Sequence, residues 1–168
     1  MQIAACCLVV GGAISLSTAA SASIITYNFD ISGSQEVPAV DTPATGVGLV
    51  TINTETNLLT WDISYQDLIG TMTVAHFHGP ADFGANAPVE LDITDTGTPG
   101  TQSGSFLGEA MITNDQMAQL LDGLWYINIH STFSPPGEIR GQVIPAPGVI
   151  GLLAFAGCIG SSRKRRAN

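Results

Sequence analysis

The three histidines of the chain, His76, His78 and His130, all stand in segments where apolar and polar residues alternate. His76 and His78 are two residues apart, so on a β-strand both side chains leave the same face. His130 ends a second segment, in which Trp125, Ile127 and Ile129 alternate with Tyr126, Asn128 and His130. In a third, Ile139, Gly141 and Val143 alternate with Glu138, Arg140 and Gln142. If Ser131 and Gly137 close the connection between the last two strands, His130 faces Glu138, Asn128 faces Arg140 and Tyr126 faces Gln142. That register makes a polar ladder with a carboxylate beside an imidazole. Three imidazoles with a carboxylate nearby form a ligand set for zinc or copper, and an acidic surround favours a cation. The same residues also admit a structural role. His76 and His78, followed by Gly79 and Pro80, can hydrogen-bond loop backbone, while Asn128, Glu138, Arg140 and Gln142 can clasp the loops.

Other chemistries lack their residues. There is no Gly-x-Ser-x-Gly elbow and no phosphate loop, so an enzyme is not expected. Ser103 and Ser105 lie in a Gly-rich stretch with no partner to activate them. Nucleic acid is not an expected partner either, since the Lys and Arg clusters that bind phosphate are missing from the centre of the chain.

The two ends read differently from the middle. Residues 3–16 are an apolar run, and Ala20-Ser21-Ala22 is a small-x-small site, the pattern of a signal peptide cut after Ala22. At the far end Pro145-Ala146-Pro147-Gly148 forms a stiff hinge, because each proline restricts itself and the residue before it. An apolar run, 149–160, and a basic stop, Arg163-Lys164-Arg165-Arg166, follow. As a helix that run reaches only roughly 18 Å, short of a hydrocarbon core of roughly 30 Å. It suits transient residence in the inner membrane with its basic end on the cytoplasmic side, or else a marginal permanent anchor. Cys6 and Cys7 lie in the leading segment and Cys158 in the trailing one, so a processed domain carries no thiol. It carries fourteen acidic residues against Arg140 alone, a net charge of −13, which suits an extracellular surface that attracts cations.

Residues 23–143 are then one domain, and its period of two predicts strands rather than helices. Leu59, Trp61, Ile63 and Tyr65 alternate with Thr60, Asp62 and Ser64. Further strands are expected over residues 25–33, 47–53, 73–78, 89–93 and 104–112, with residues 54–57 as a hairpin connection between 47–53 and 58–65. One helix is expected, capped by Thr113 with Gln116 three residues on, carrying Met117, Leu120 and Leu121 on one face and ended by Gly123. Residues 80–87 and 95–103 read as loops. Trp61, Trp125 and Phe106 are expected in the core, whereas Tyr65, Phe83 and Phe133 lie nearer to loops where a ligand surface is conceivable. Glu36-Val37-Pro38 reads as a device that blunts a sheet edge. Short strands at roughly ten-residue spacing with one helical crossover predict an all-β fold, an antiparallel Greek-key β-sandwich with one short helix.

Three blocks carry a family resemblance: Gln35-Glu36-Val37-Pro38-Ala39-Val40 with Thr42 and Ala44-Thr45-Gly46; Ala75-His76-Phe77-His78-Gly79-Pro80-Ala81; and residues 125–131 with residues 136–142. In this order they resemble the CHRD domain, found repeated in chordin and singly in bacterial secreted proteins, over about residues 27–143. In chordin the family implies binding of extracellular signalling proteins; for bacterial members it implies an exported domain and no reaction. The histidine pair resembles that of Cu/Zn superoxide dismutase, whose further histidine ligands have no counterparts here. The ordered tail, Pro-x-Pro then apolar run then Arg cluster, resembles the PEP-CTERM sorting signal, with Ala146 where that family usually has Glu. It implies cleavage by an exosortase-type protease. The expected function is an exported, non-enzymatic surface or extracellular module that binds protein or polysaccharide. The alternative is a metal-binding periplasmic or surface protein using His76, His78 and His130.

Overall fold

Alternation of apolar and polar side chains buries one face of a strand and wets the other, and most of the domain is built this way. The computed structural model describes residues 23–144. In chain order these form β1 (Ile24–Ser32), β2 (Thr45–Asn53), β3 (Leu58–Gln66), β4 (Met72–His78), β5 (Val89–Asp92), β6 (Gly104–Met111), α1 (Asn114–Leu121), β7 (Tyr126–Ser131) and β8 (Ile139–Gln142). In β3, Leu59, Trp61, Ile63 and Tyr65 are buried while Asp62 and Ser64 face water. The β2–β3 hairpin closes because the Asn53 side chain accepts the N–H groups of Glu55 and Thr56. Asn57 then takes a left-handed conformation (φ 59°), which asparagine tolerates better than most residues.

The expected all-β fold is present, and every strand pair is antiparallel. All eight strands belong to one curled sheet in the order β5-β4-β7-β8-β1-β2-β3-β6. Its two halves, β5-β4-β7-β8 and β1-β2-β3-β6, meet in the ladder through one residue pair, Ser32 with Arg140. The halves face each other as in a sandwich. The Trp61 ring of β3 meets the Phe77 ring of β4 edge-on, centroids 5.9 Å apart, and Phe77 lies 6.0 Å from Trp125. The pairings β3–β6 and β4–β7 set non-consecutive strands side by side, the long-connection feature of Greek keys. Tyr65 closes the expected alternating strand and, although near a loop, lies in the core and not on an exposed surface. It continues the buried face of β3, stacks on Phe106 at 5.4 Å and shares a hydrogen bond with Thr101. Phe83 and Phe133 are exposed.

α1 carries the β6-to-β7 crossover and is closed at both ends. Thr113 Oγ1 accepts the Gln116 N–H at 3.2 Å while Gln116 Oε1 accepts the Thr113 N–H at 3.0 Å, a complete capping box. At the other end Leu124 N–H donates to Gln119 O and Gly123 N–H to Leu120 O, with Gly123 at φ 74°. Thr113→Ala should lower stability by about 1 kcal/mol, read as a fall in the urea midpoint at unchanged slope; an unmoved midpoint would mean that the cap contributes nothing.

β7 and β8 differ from the rest because both of their faces are buried. Ile127, Ile129 and Ile139 fill the core, and the opposite face is covered by the segments around residues 35–43, 80–88 and 132–137. That covered polar face is where the candidate site lies. The expected signal cleavage at Ala20 and Ala22 and the sorting segment with Pro145, Ala146, Pro147, Gly148, Arg163, Lys164, Arg165 and Arg166 lie outside the described residues. Among the described residues no helix is long and apolar enough to cross a membrane.

Candidate metal centre

The β4–β7 register places His78 opposite Tyr126 and His76 opposite Asn128. His130 lies two residues beyond Asn128 on the same face of β7, so strand parity brings three imidazoles together. One nitrogen from each ring can be chosen so that the three atoms lie within 4.8 Å of one another. His76 Nδ1 and His130 Nε2 are already 3.3 Å apart. Two nitrogens each about 2.0–2.1 Å from a tetrahedral zinc are separated by roughly 3.3 Å, so this pair has the spacing of two ligands.

Backbone carbonyls set the tautomers. His78 Nδ1 lies 3.0 Å from Ala87 O, and His130 Nδ1 lies 2.8 Å from Pro135 O. A carbonyl only accepts, so both Nδ1 atoms carry hydrogen and each Nε2 presents a lone pair. His78 Nε2 is buried and has no hydrogen-bond partner. Burial also disfavours the imidazolium, holding both His78 and His130 below the usual histidine range and therefore neutral near pH 7. Neutral rings with one nitrogen tied to a carbonyl and the other free are the form in which histidine binds metal. On the third ring, His76 Nε2 lies 3.9 Å from Asp92 Oδ1. The Thr94 hydroxyl and N–H act on the Asp92 carboxyl and hold it below its usual range, so a carboxylate stands behind the most exposed ligand. Without metal, His76 Nδ1 donates to the His130 lone pair. A bound cation would take both lone pairs once the His76 proton moved to Nε2, toward Asp92.

The rest of the polar face holds these rings in place. Tyr126 stacks on His78 with centroids 5.0 Å apart and planes 5° from parallel, and the Arg140 guanidinium carbon lies 3.4 Å from the Tyr126 ring centroid. The β7–β8 register pairs Tyr126 with Gln142 and Asn128 with Arg140. Arg140 donates to Asn86 Oδ1 and Gln142 Oε1, and Gln142 donates to the carbonyls of Ala81 and Gly123. These contacts tie the 80–87 loop and the end of α1 to the sheet.

Glu138 is not the carboxylate beside the histidines. Its oxygens accept from the Ser131 hydroxyl, the Thr42 hydroxyl and the N–H groups of Ile69 and Gly70, at 2.7 Å for Thr42 and Ile69. Glu138 precedes the first residue of β8, so ladder parity does not govern its side chain. It joins three loops, while the His130 ring turns to Pro135 O. The carboxyl that does enter the ladder is Glu36, expected at a sheet edge but buried at 8% exposure, where Asn128 Nδ2 donates to its Oε2 at 3.3 Å. Burial raises its pKa to about 7 despite the opposing pull of Arg140 and the Asn128 hydrogen bond. Sequence parity could not place Glu36, because it lies in an irregular segment after β1. The one signal was its membership in the Gln35–Val40 block.

Beside the histidines, Glu36, Val37, Pro38, Val40, His78 and Asn128 line part of a pocket of about 240 Å³ that is closed on another side by Gly137. A Cβ on Gly137 would stand 2.2 Å from Asn128 Oδ1, and its φ of +138° favours glycine, so the β7–β8 connection passes this close only with glycine there.

The architecture is that of an all-β domain: a curled eight-stranded antiparallel sheet carrying a three-histidine group that could hold a metal ion. The CHRD domain family model matches residues 27–143, and the chain belongs to that family. Searches of curated proteins and of solved structures gave no match.

Proposed function

We propose that this chain is an exported CHRD module, at the cell surface or in the extracellular matrix, that binds a zinc or copper ion through His76, His78 and His130 and catalyses no reaction. The observation that carries this reading is the pair of Nδ1–H groups anchored on the Ala87 and Pro135 carbonyls, which leaves the Nε2 lone pairs of His78 and His130 free in a group whose three ligand atoms can lie within 4.8 Å of one another. Imidazole ligands suit zinc and copper, and the net charge of −13 concentrates cations around the domain. The leading apolar run with its Ala20/Ala22 site and the Pro-Ala-Pro-Gly tail support export, a transient stay in the inner membrane and cleavage by an exosortase-type protease. Extracellular protein or polysaccharide is the partner this placement favours, and nucleic acid is not.

Equilibrium dialysis of the full chain against zinc, and separately against Cu(I), should give about one ion per chain. The variant with His76, His78 and His130 all changed to alanine should take up none. Equal uptake by the two proteins, or none by the unaltered chain, would leave the histidines a purely architectural role.

A further inference from the structure

Two buried oxygens meet where the irregular segment after β1 crosses β7. Asn128 Nδ2 donates to Glu36 Oε2 at 3.3 Å, which leaves Asn128 Oδ1 and Glu36 Oε1 as the two ends without a hydrogen-bond partner. Both are closed off from solvent and lie against the Gly137 backbone. Measured from the position of a Gly137 Cβ, Oδ1 is at 2.2 Å and Oε1 at 2.6 Å, so the two are at most 4.8 Å apart. Buried acceptors are ordinarily paired, and here neither water nor a ligand can supply the donor. A proton on Glu36 Oε1 resolves both at once. The carboxyl then donates to Asn128 Oδ1, and acid and amide close a ring of two hydrogen bonds.

The charges around Glu36 leave room for the neutral form. Arg140, opposite Asn128 on β8, attracts the carboxylate, but its hydrogen bonds go to Asn86 and Gln142 and its guanidinium lies on Tyr126. His78 of β4 and Tyr126 of β7 line the same pocket. Burial keeps His78 neutral, and the Tyr126 hydroxyl is engaged with Ala87. The connection 134–137 brings no ionisable side chain. The Glu138 carboxylate meets the segment after β1 through the Thr42 hydroxyl. Desolvation therefore prevails over Arg140, and Glu36 keeps its proton up to about pH 7.

We propose that Glu36 and Asn128 form a proton-operated latch: the neutral acid–amide pair fastens the segment 36–40 onto β7, and loss of the proton releases it. Without the proton two buried acceptors face each other, and the buried carboxylate has only one donor, Asn128 Nδ2. The segment walls the pocket of about 240 Å³ through Glu36, Val37, Pro38 and Val40, so release opens that side. Its other tie to a neighbouring loop, Asn86 Nδ2 to Val37 O, is exposed and uncharged. The latch stands whether or not the histidines hold a metal, since neither group belongs to the histidine cluster.

NMR on the full chain, with EDTA present, tests it. The Glu36 side-chain carboxyl carbon should titrate with a midpoint near 7, not near the usual 4.5, and the Asn128 side-chain amide should shift with the same midpoint. Glu36→Gln supplies a permanent donor to Asn128 Oδ1 and should abolish that step. Exchange of the Val40 N–H, which donates to Gly33 O, reads the latch itself. The two proteins should exchange it alike at about pH 5.5, and the unaltered chain ~10-fold faster than Glu36→Gln at about pH 8.5. The folded state keeps a proton that the unfolded chain gives up, so stability relative to Glu36→Gln should fall as pH rises from about 4.5 to about 7 and then level off. If Glu36→Gln fails to fold, the carboxyl and amide titrations of the unaltered chain decide alone. A Glu36 midpoint in the ordinary carboxyl range, an Asn128 amide that does not follow it, or Val40 exchange equal in the two proteins at both pH values would overturn the latch.

Discussion

Glu138→Ala should destabilise the domain by about 3–5 kcal/mol, a large fraction of the stability of a domain this size. The side chain is fully buried and accepts from four donors on three separate segments: Ser131, Thr42, and the Ile69 and Gly70 N–H groups. Truncation leaves these donors without their acceptor at roughly 1–3 kcal/mol each, offset in part by entering water. Glu138→Gln keeps one acceptor oxygen but turns an amide N–H₂ toward groups that themselves donate, so it should recover only a minor part of the loss. The pH dependence follows from the same bonds. Burial alone would raise this carboxyl, but the hydrogen bonds from Ser131, Ile69, Thr42 and Gly70 outweigh it and hold the folded pKa below the usual 4.5. For a depressed acid the stabilisation is complete above the unfolded value and is lost as pH falls through the folded one. The difference between the unaltered chain and Glu138→Ala should therefore be constant above about pH 5.5 and shrink below 4.5. Urea titrations at several pH values read this directly, and a gap that widens on acidification would show that the carboxylate is not the stabilising form.

His78→Ala should weaken zinc binding by at least ~100-fold, because loss of a group that merely orients a ligand costs 10–100-fold and His78 is proposed as a ligand itself. Asp92→Ala should cost ~10-fold or less, since that carboxylate stands 3.9 Å behind His76 and is 65% exposed. The order of the two effects is the test: comparable losses would place the ion at the acidic surface and not among the imidazoles. Protons compete for the same lone pairs. Burial lowers the pKa of His78 and His130, so those two lone pairs stay free to lower pH than an ordinary histidine's, and affinity should fall on acidification.

Much of this site was legible because strand parity is a rigid rule. His76 and His78 had to share a face, Tyr126, Asn128 and His130 had to share another, and a short connection after Ser131 set Asn128 against Arg140 and Tyr126 against Gln142. That β4 would lie beside β7 was not legible, because it depends on which non-consecutive strands pair. Without that pairing no argument from spacing could say that His130 reaches His76. Parity also stops at strand ends. Glu138 sits one residue outside β8 and its carboxyl turns to Ser131 and the 69–70 turn, while Glu36 comes from irregular chain to meet Asn128, and the carboxylate that stands beside a histidine is Asp92. Tyr65 shows the rule in the other direction: it follows Ile63 on the buried face of β3, and its ring goes to the core although a loop begins two residues on. The separation of the sheet into halves joined at Ser32 and Arg140 left no mark in the residue pattern, because β1 and β8 alternate apolar and polar residues just as the other strands do.

The most direct test of the central claim is a thermal melt of the full chain with and without zinc, set beside the variant in which His76, His78 and His130 are alanine. A ligand present at 100 times its Kd and bound only by the folded state adds about 2.7 kcal/mol. The unaltered chain should melt several degrees higher with zinc, and the triple variant, folded, should not move. An unaltered chain indifferent to zinc and Cu(I), or a triple variant that shifts as far as its parent, would contradict a metal centre built from these three histidines.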